Sequence, residues 1–453
     1  MIIQAILGLL VALSAVVAVQ ASPVLLISID GLRPGDVLEA EKRGLKIPNL
    51  RRFVTDGTSA TGVRGVLPTV TYPSHATLLT GTSPAKHGIV SNTTFDPKQI
   101  NQGGWYWYAS AFRVPTLWDA ARTAGMTVGN VHWPVSVGAK SITWNLPQIW
   151  RTGHADDADL LKALATPGLI EDMETRLGVY AQGIDESIEG DQNRGKFAAD
   201  LITEKKPGFM TVYLTALDHE QHGKGPGSAD ANAVLERIDT VVGTLVTAEM
   251  KVHPDATIAV VSDHGFSSTE TEVSLFRSFV DAGLITLDTG GKVKDWLAMP
   301  WPSGGSAAVV LARPDDAALR DRVGGVLARL KADPAMRIAA IANRAAIAAM
   351  NGNPQAGFYV DFAPGTYAAG FKGAVAPLSA PSASKGMHGY FPGSPEMRST
   401  FLIMGQGIAA GKSLGEIDMR AIAPSLAKRL GAKLKDAEVS PLNLTVGPSF
   451  EVQ

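Results

Sequence analysis

Asp218 and His222 stand four residues apart in the run Asp218-His219-Glu220-Gln221-His222. On a helix that spacing puts both side chains on one face, where a carboxylate and a neutral imidazole can meet one cation. A second acid–imidazole pair, Asp263-His264, is adjacent within Ser262-Asp263-His264-Gly265-Phe266. Neighbours in a strand point to opposite faces, so this pair shares an ion only where a strand has ended and the chain turns, which Gly265 permits. Asp30-Gly31 and His388-Gly389 add one more acid and one more imidazole. Singly, each has an ordinary explanation: a surface ion pair at Asp218 and His222, a cap or Asx turn at Asp30 and Asp263, a structural loop histidine at His388. His219 and Glu220 leave the shared face and read as solvent-facing. Together, Asp30, Asp218, His222, Asp263, His264 and His388 are three carboxylates and three imidazoles. The set divides into two sites of nitrogen and oxygen ligands suited to zinc. Two ions ~3.5–4 Å apart clamp the attacking and leaving oxygens of an in-line phosphoryl displacement.

Such a site needs a nucleophile. Thr69 to Gly81 reads TVTYPSHATLLTG, and Pro73 suits the first turn of a helix ending at Gly81. A hydroxyl at that N-terminus lies where free N–H groups and the helix dipole favour anions. Thr71 and Ser74 both qualify on local grounds, and spacing does not choose between them.

The elements that must hold these residues are legible as short apolar runs ending in polar residues. Val24 to Ile29 precedes Asp30, Phe209 to Leu214 precedes Asp218, Thr257 to Val261 precedes Asp263, and Thr400 to Met404 precedes Gly405. Continuous β-rich runs read as strands buried on both faces of a parallel sheet. Helical patterns over Thr116 to Ala124, Ala229 to Val246 and Ala421 to Leu430 alternate with them, giving an α/β sandwich. Ligands bind at the carboxyl ends of strands in such sheets, so Asp30, Asp218 and Asp263 are expected to converge on one edge. Residues 266–385 mix Gly/Pro turns, short strands such as Ala307 to Ala312 and an alanine-rich helix around Ile338 to Met350. They are read as an insertion covering or flanking the site within a single catalytic domain, 22–453.

Composition narrows the chemistry further. The 453 residues are 45% hydrophobic and 19% charged, with a net charge of −2, so no basic field points to nucleic acid. The absence of cysteine excludes disulfides, thiolate metal sites and cysteine nucleophiles. The apolar stretch Ile2 to Val19, followed by Val19-Gln20-Ala21, reads as a signal peptide spanning 1–21, favoured over an uncleaved anchor. A periplasmic or secreted location follows, with no membrane association after signal removal.

The residues resemble the nucleotide pyrophosphatase/phosphodiesterase family of the alkaline phosphatase superfamily. PTVTYPSHATLLTG from Pro68 looks like its nucleophile segment, usually P-T-x-T-F-P-N-H-x-T-x-x-T-G. KHGIVSN from Lys86 follows, then VPTLW from Val114 and Trp133-Pro134. DHEQHGKGPG from Asp218, SDHG from Ser262 and HGY from His388 come in the same order. The resemblance implies an alkaline phosphatase-like sandwich with two Zn2+ ions and a small phosphodiester or nucleotide substrate. It makes Thr71 the nucleophile of a phosphothreonine intermediate. It assigns Asp218, His222 and His388 to one zinc, and Asp30, Asp263, His264 and the Thr71 oxygen to the other. Asn92 is implied to donate its side-chain amide to a phosphate oxygen, and Tyr72 to pack against the substrate's leaving group or base. Tyr72 replaces the usual Phe, Ser74 an Asn and Ala76 an aromatic, departures that bear on substrate preference. The family's cysteine-rich modules and nuclease-like tail are missing, which implies a bacterial, catalytic-domain-only member. The rivals are a phosphomonoesterase or phosphonate hydrolase of the same superfamily, a sulfatase, and an inert secreted binding module. His75 standing where a sulfatase has arginine argues against the sulfatase. His75 and His87 are expected to pack or bond backbone, not to bind metal.

Overall fold

The computed structural model describes residues 21–101, 104–371 and 377–445. The signal peptide expected over 1–21 lies, except for Ala21, outside the described residues. Among the described residues no helix is long and apolar enough to cross a membrane.

The strands that build the fold are, in chain order, β1 (Val24–Ile29), β2 (Thr58–Ser59), β3 (Val128–Val131), β4 (Trp144–Leu146), β5 (Phe209–Leu214) and β6 (Thr257–Val261). There follow β7 (Ala298–Ser303), β8 (Ser306–Leu311), β9 (Ile338–Asn343), β10 (Ala356–Phe362), β11 (Phe401–Gly405) and β12 (Lys412–Ser413). The central sheet runs β12-β2-β11-β6-β1-β5-β3-β4. Strands β6, β1, β5, β3 and β4 pair in parallel, while β11 runs antiparallel to β6 and β2. The sheet is therefore mostly parallel, with one reversed strand that its apolar sequence does not distinguish from the others.

Period-two alternation explains why the parallel strands are apolar throughout. Leu25, Ile27 and Ile29 of β1 enter one core, with Met210, Val212 and Leu214 of β5 and Ile258 and Val260 of β6. Val24, Leu26, Phe209, Tyr213, Ala259 and Val261 enter the core on the opposite face. The first face is covered by α2 (Ile188–Lys205) and α4 (Ala229–Val252), and the second by α1 (Thr71–Thr80) and α5 (Ile422–Arg429). A shorter helix, α3 (Ala216–Lys224), starts directly beyond β5. This is a three-layer α/β sandwich.

Within 266–385, β7, β8, β10 and β9 form a separate antiparallel sheet. A core of its own packs beneath it, with Phe279, Val309, Val323, Leu327 and Val360. The alanine-rich helix expected around Ile338 to Met350 is half strand: Ile338–Asn343 is β9, paired with β10, and only Arg344–Ala349 is helical. Edge pairing with β10 overrides alanine's helix propensity there.

Candidate active site

The carboxyl ends of β1, β5 and β6 lie side by side, Ile29 opposite Leu214 and Ser28 opposite Val261. Asp30 follows β1 immediately, Asp263 and His264 follow β6, and α3 begins two residues after β5 and brings Asp218 and His222. His388 arrives from a loop whose Gly389 has φ 87 and would place a Cβ 1.8 Å from the Ser303 carbonyl oxygen. At Gly265 no left-handed turn is involved. A Cβ there would lie 2.0 Å from the Glu396 carbonyl oxygen, so the residue is small because another backbone passes against it.

The structure brings five of the six predicted ligands into two overlapping groups, and the sixth, Asp263, lies against His264. Ligand atoms of Asp218, His222 and His388 lie within 4.8 Å of one another, as do those of Asp30, Asp218 and His264. Asp218 belongs to both. His222 Nε2 is 3.4 Å from Asp218 Oδ2, and His388 Nε2 is 3.7 Å from Asp218 Oδ1. His264 Nε2 is 3.2 Å from Asp263 Oδ2, 3.3 Å from Asp30 Oδ1 and 4.0 Å from Asp218 Oδ1.

The tautomers follow from the other ring nitrogens. Nδ1 of His222 faces the Gly386 carbonyl at 2.9 Å, that of His264 the Gly265 carbonyl at 3.1 Å, and that of His388 the Thr69 carbonyl at 3.2 Å. A carbonyl oxygen only accepts, so each Nδ1 carries the proton and each Nε2 presents a lone pair toward the carboxylates. Burial holds all three imidazoles below their ordinary pKa, His264 and His388 far below. The rings of His264 and His388 stack at 3.6 Å, which suits neutral imidazoles.

Without a cation this arrangement is self-repelling. Asp30 Oδ1, Asp218 Oδ1, Asp263 Oδ2 and His264 Nε2 are buried with no hydrogen-bond partner. Burial first, then the neighbouring carboxylates, pushes Asp30 and Asp218 well above the usual carboxylate range. Lone pairs converging in a dry place cost several kcal/mol unless neutralised, and two divalent ions coordinated by nitrogen and oxygen fit the donor set. Tyr213 completes the surround by donating its hydroxyl to Asp30.

Thr71 is the first residue of α1 and is buried, 4% exposed. Asn92 lies beside it: its Oδ1 accepts the Tyr72 N–H at 2.9 Å. That bond fixes the amide orientation and leaves the Asn92 NH2 group free to donate beyond the helix N-terminus. Ser74 is fully buried inside the helix. His75 and His87 bond protein groups, as expected. His75 Nδ1 donates to the Thr71 carbonyl at 2.8 Å and Nε2 faces Ser28 Oγ at 2.9 Å, while His87 Nε2 faces Thr77 Oγ1 at 3.1 Å.

Tyr72 sits differently from expectation. Its ring is fully buried, its hydroxyl donates to Gln148 Oε1 at 2.8 Å, and Trp105 covers it at 5.2 Å between centroids. Trp105 in turn stacks on Trp150 at 4.0 Å and 14°. Both indoles are half-buried, and Trp105 lies against the ring expected to pack on the substrate. Sequence reasoning passed over Tyr213, which reads as one more core aromatic in FMTVYL. It also passed over Asp191 and Arg194, whose i, i+3 spacing on α2 looks like a surface pair. The only signal for Tyr213 was its hydroxyl, one residue from the end of a strand aimed at the site.

The chain matches the family described as type I phosphodiesterase / nucleotide pyrophosphatase over residues 24–390. Ectonucleotide pyrophosphatase/phosphodiesterase family member 3 of Rattus norvegicus is 25% identical over 260 residues, covering 55% of this chain and 25% of its own. The human family member 1 is 27% identical over 256 residues, covering 54% and 24%. Venom phosphodiesterase 2 of Crotalus adamanteus is 26% identical over 255 residues, covering 54% and 27%. The chain thus spans about a quarter of the length of the curated relatives it matches. Among solved structures, human ectonucleotide pyrophosphatase/phosphodiesterase 5 superposes with TM-score 0.63 at 20% identity, covering 91% of this chain and 95% of that one. Its murine counterpart, solved as an inactive variant in complex with AMP, gives 0.63 at 19%, covering 94% and 97%. At these identities the structures establish the fold. The relatives found are vertebrate ectonucleotide pyrophosphatase/phosphodiesterases and venom phosphodiesterases, which overturns the expectation of a bacterial member.

Proposed function

Because the chain belongs to the type I phosphodiesterase/nucleotide pyrophosphatase family, we propose that it hydrolyses phosphodiester or phosphoanhydride bonds of small molecules through a phosphothreonine formed at Thr71. The observation that carries this reading is the set of four buried, unpartnered ligand atoms on Asp30, Asp218, Asp263 and His264, linked to the start of α1 by His388, which bonds Thr69, and by His75, which bonds Thr71 and lies 3.6 Å from Asp263.

In this reading Asp218, His222 and His388 hold one zinc ion, and Asp30, Asp263, His264 and the Thr71 oxygen the other, with Asp218 within reach of both positions. When bound, the two ions supply Lewis acidity, lowering the hydroxyl's pKa and neutralising charge on the phosphoryl oxygens. Thr71 Oγ1 attacks phosphorus, the bond to the leaving oxygen breaks, and water later releases the phosphoryl group from Thr71. Asn92 donates its free amide to a phosphoryl oxygen, and the N-terminus of α1 favours the anion. The Nδ1–H bonds to Gly386, Gly265 and Thr69 keep the imidazoles oriented as Nε2 ligands. Tyr213 holds Asp30 in place.

Residues 266–385 are proposed to wall the substrate cleft. In support, Gly304 and Gly305 of the β7–β8 turn pack on the His388 carbonyl and the Tyr390 ring. Export from the cytoplasm is also part of the proposal and rests on the apolar leader. The deciding experiment compares p-nitrophenyl thymidine monophosphate with p-nitrophenyl phosphate, with and without a chelator. Chelator-sensitive preference for the diester is expected. Far faster turnover of the monoester moves the reading to a phosphomonoesterase, and no turnover of either with zinc supplied moves it to a binding module.

A further inference from the structure

Helix α3 carries Asp218 and His222, yet its own sequence does not close its N-terminus: Thr215, at the cap position, makes no side-chain cap. The free donors are met from another helix. Asp191 of α2 accepts the Thr215 N–H on Oδ1 at 3.0 Å and the Ala216 N–H on Oδ2 at 2.8 Å. Arg194, one turn along α2, donates from Nη1 to Asp191 Oδ1 at 3.0 Å and to Thr215 Oγ1 at 3.2 Å, and from Nη2 to the Ile184 carbonyl. Both side chains are completely buried. Two charges withdrawn from water are costly, and a well-packed apolar pair commonly serves stability as well or better. What the ion pair adds is geometry: it ties α2 and the Ile184 loop to the first residues of α3.

We propose that Asp191, oriented by Arg194, is a positioning residue for the metal centre, a cap lent by α2 that fixes the placement of Asp218. The inference rests on the reading of Asp218 and His222 as metal ligands. Asp218 lies in the first turn of α3, the turn that the cap governs. Its neighbours Asp30 and His264 are fixed independently, by the ends of β1 and β6. A shift of α3 therefore changes the separations of 4.0 Å to His264 and 3.7 Å to His388. His222 has a second anchor, its bond to Gly386. The disturbance concentrates on Asp218, which belongs to both ligand groups, so losing the cap weakens both metal positions together.

The test measures zinc affinity of the full chain by competition with a chromophoric chelator, with no substrate present. Asp191→Asn keeps the shape and removes the charge and one strong acceptor. Asp191→Leu combined with Arg194→Met removes both charges, so that no unpaired guanidinium remains to unfold the protein. Val323→Ala, in the separate core beneath the antiparallel sheet, is a control that lowers Tm away from α2 and α3. Both zinc equivalents are expected to bind about 10–100-fold more weakly in the Asp191 variants, while Val323→Ala retains the parent affinity. Unchanged affinity in the folded double variant, or an equal loss in Val323→Ala, overturns the proposal. Loss of one equivalent alone overturns the role of Asp218 as the common ligand. If the parent chain takes up no zinc, the metal-site reading itself falls.

Discussion

The three site imidazoles share one device: a backbone carbonyl takes the Nδ1 proton and leaves Nε2 to face the acids. Replacing His388 with alanine removes one such lone pair, and elemental analysis is expected to show a lower zinc content. Unchanged stoichiometry would remove His388 from the ligand set. Thr71→Ala leaves those donors intact, so it is expected to keep metal and fold while turnover falls by about three orders of magnitude or more. Full activity in that variant would exclude Thr71 as nucleophile. At this scale the sequence was informative because acids and imidazoles are costly to bury together, and few reasons exist for placing them after successive strands. The partners that orient them were not legible. Gly386, Gly265 and Thr69 contribute carbonyls, which every residue has, and Tyr213 looks like core.

At the scale of elements, β1, β5 and β6 occupy the residues their apolar runs predict. The reversal of β11 did not show, since pairing direction leaves no mark in TFLIM. The same blindness applies to Trp105, whose placement over Tyr72 depends on a loop conformation and not on periodicity. Its indole rests on both Tyr72 and Trp150, and where a substrate takes the indole's place on Tyr72, apparent binding weakens by the fraction of molecules in which the indole is displaced. Trp105→Ala is expected to lower KM for p-nitrophenyl thymidine monophosphate, with kcat changed much less. A raised KM would show instead that the Trp105 indole itself supports the bound substrate.

For the whole molecule, the buried carboxylate cluster is expected to make stability depend on metal. Stripping zinc with a chelator is expected to lower Tm by several degrees, and added zinc to restore it, since a ligand bound only to the native state stabilises it. An unchanged Tm would mean that the cluster holds no ion in solution. A separate pH dependence comes from Glu249 on α4. Both its oxygens are buried without partners, and burial, with Asp255 adding to it, pushes its pKa up from 4.5 to about 8. The folded state then holds this proton more tightly than the unfolded one. Its contribution is intact below about pH 4.5 and is lost as pH rises toward about 8. Glu249→Gln is expected to flatten that slope in denaturant titrations at pH 5.5 and 8, the gain at the higher pH being a few kcal/mol at most. An unchanged slope would assign the pH dependence elsewhere.

Asp30 stands near the beginning of the described chain and His388 near its end, with Asp218, His222, Asp263 and His264 between them. No local segment contains even a majority of either ligand group together with Thr71. The pocket for the ions comes into being only when β1 has found β5 and β6, contacts of long sequence separation that form slowly. Metal uptake at these ligands is therefore expected to be a late event in the life of the chain. A half-folded or truncated molecule offers scattered acids and histidines but no binding site, and the first tightly held ion marks a chain that has finished folding.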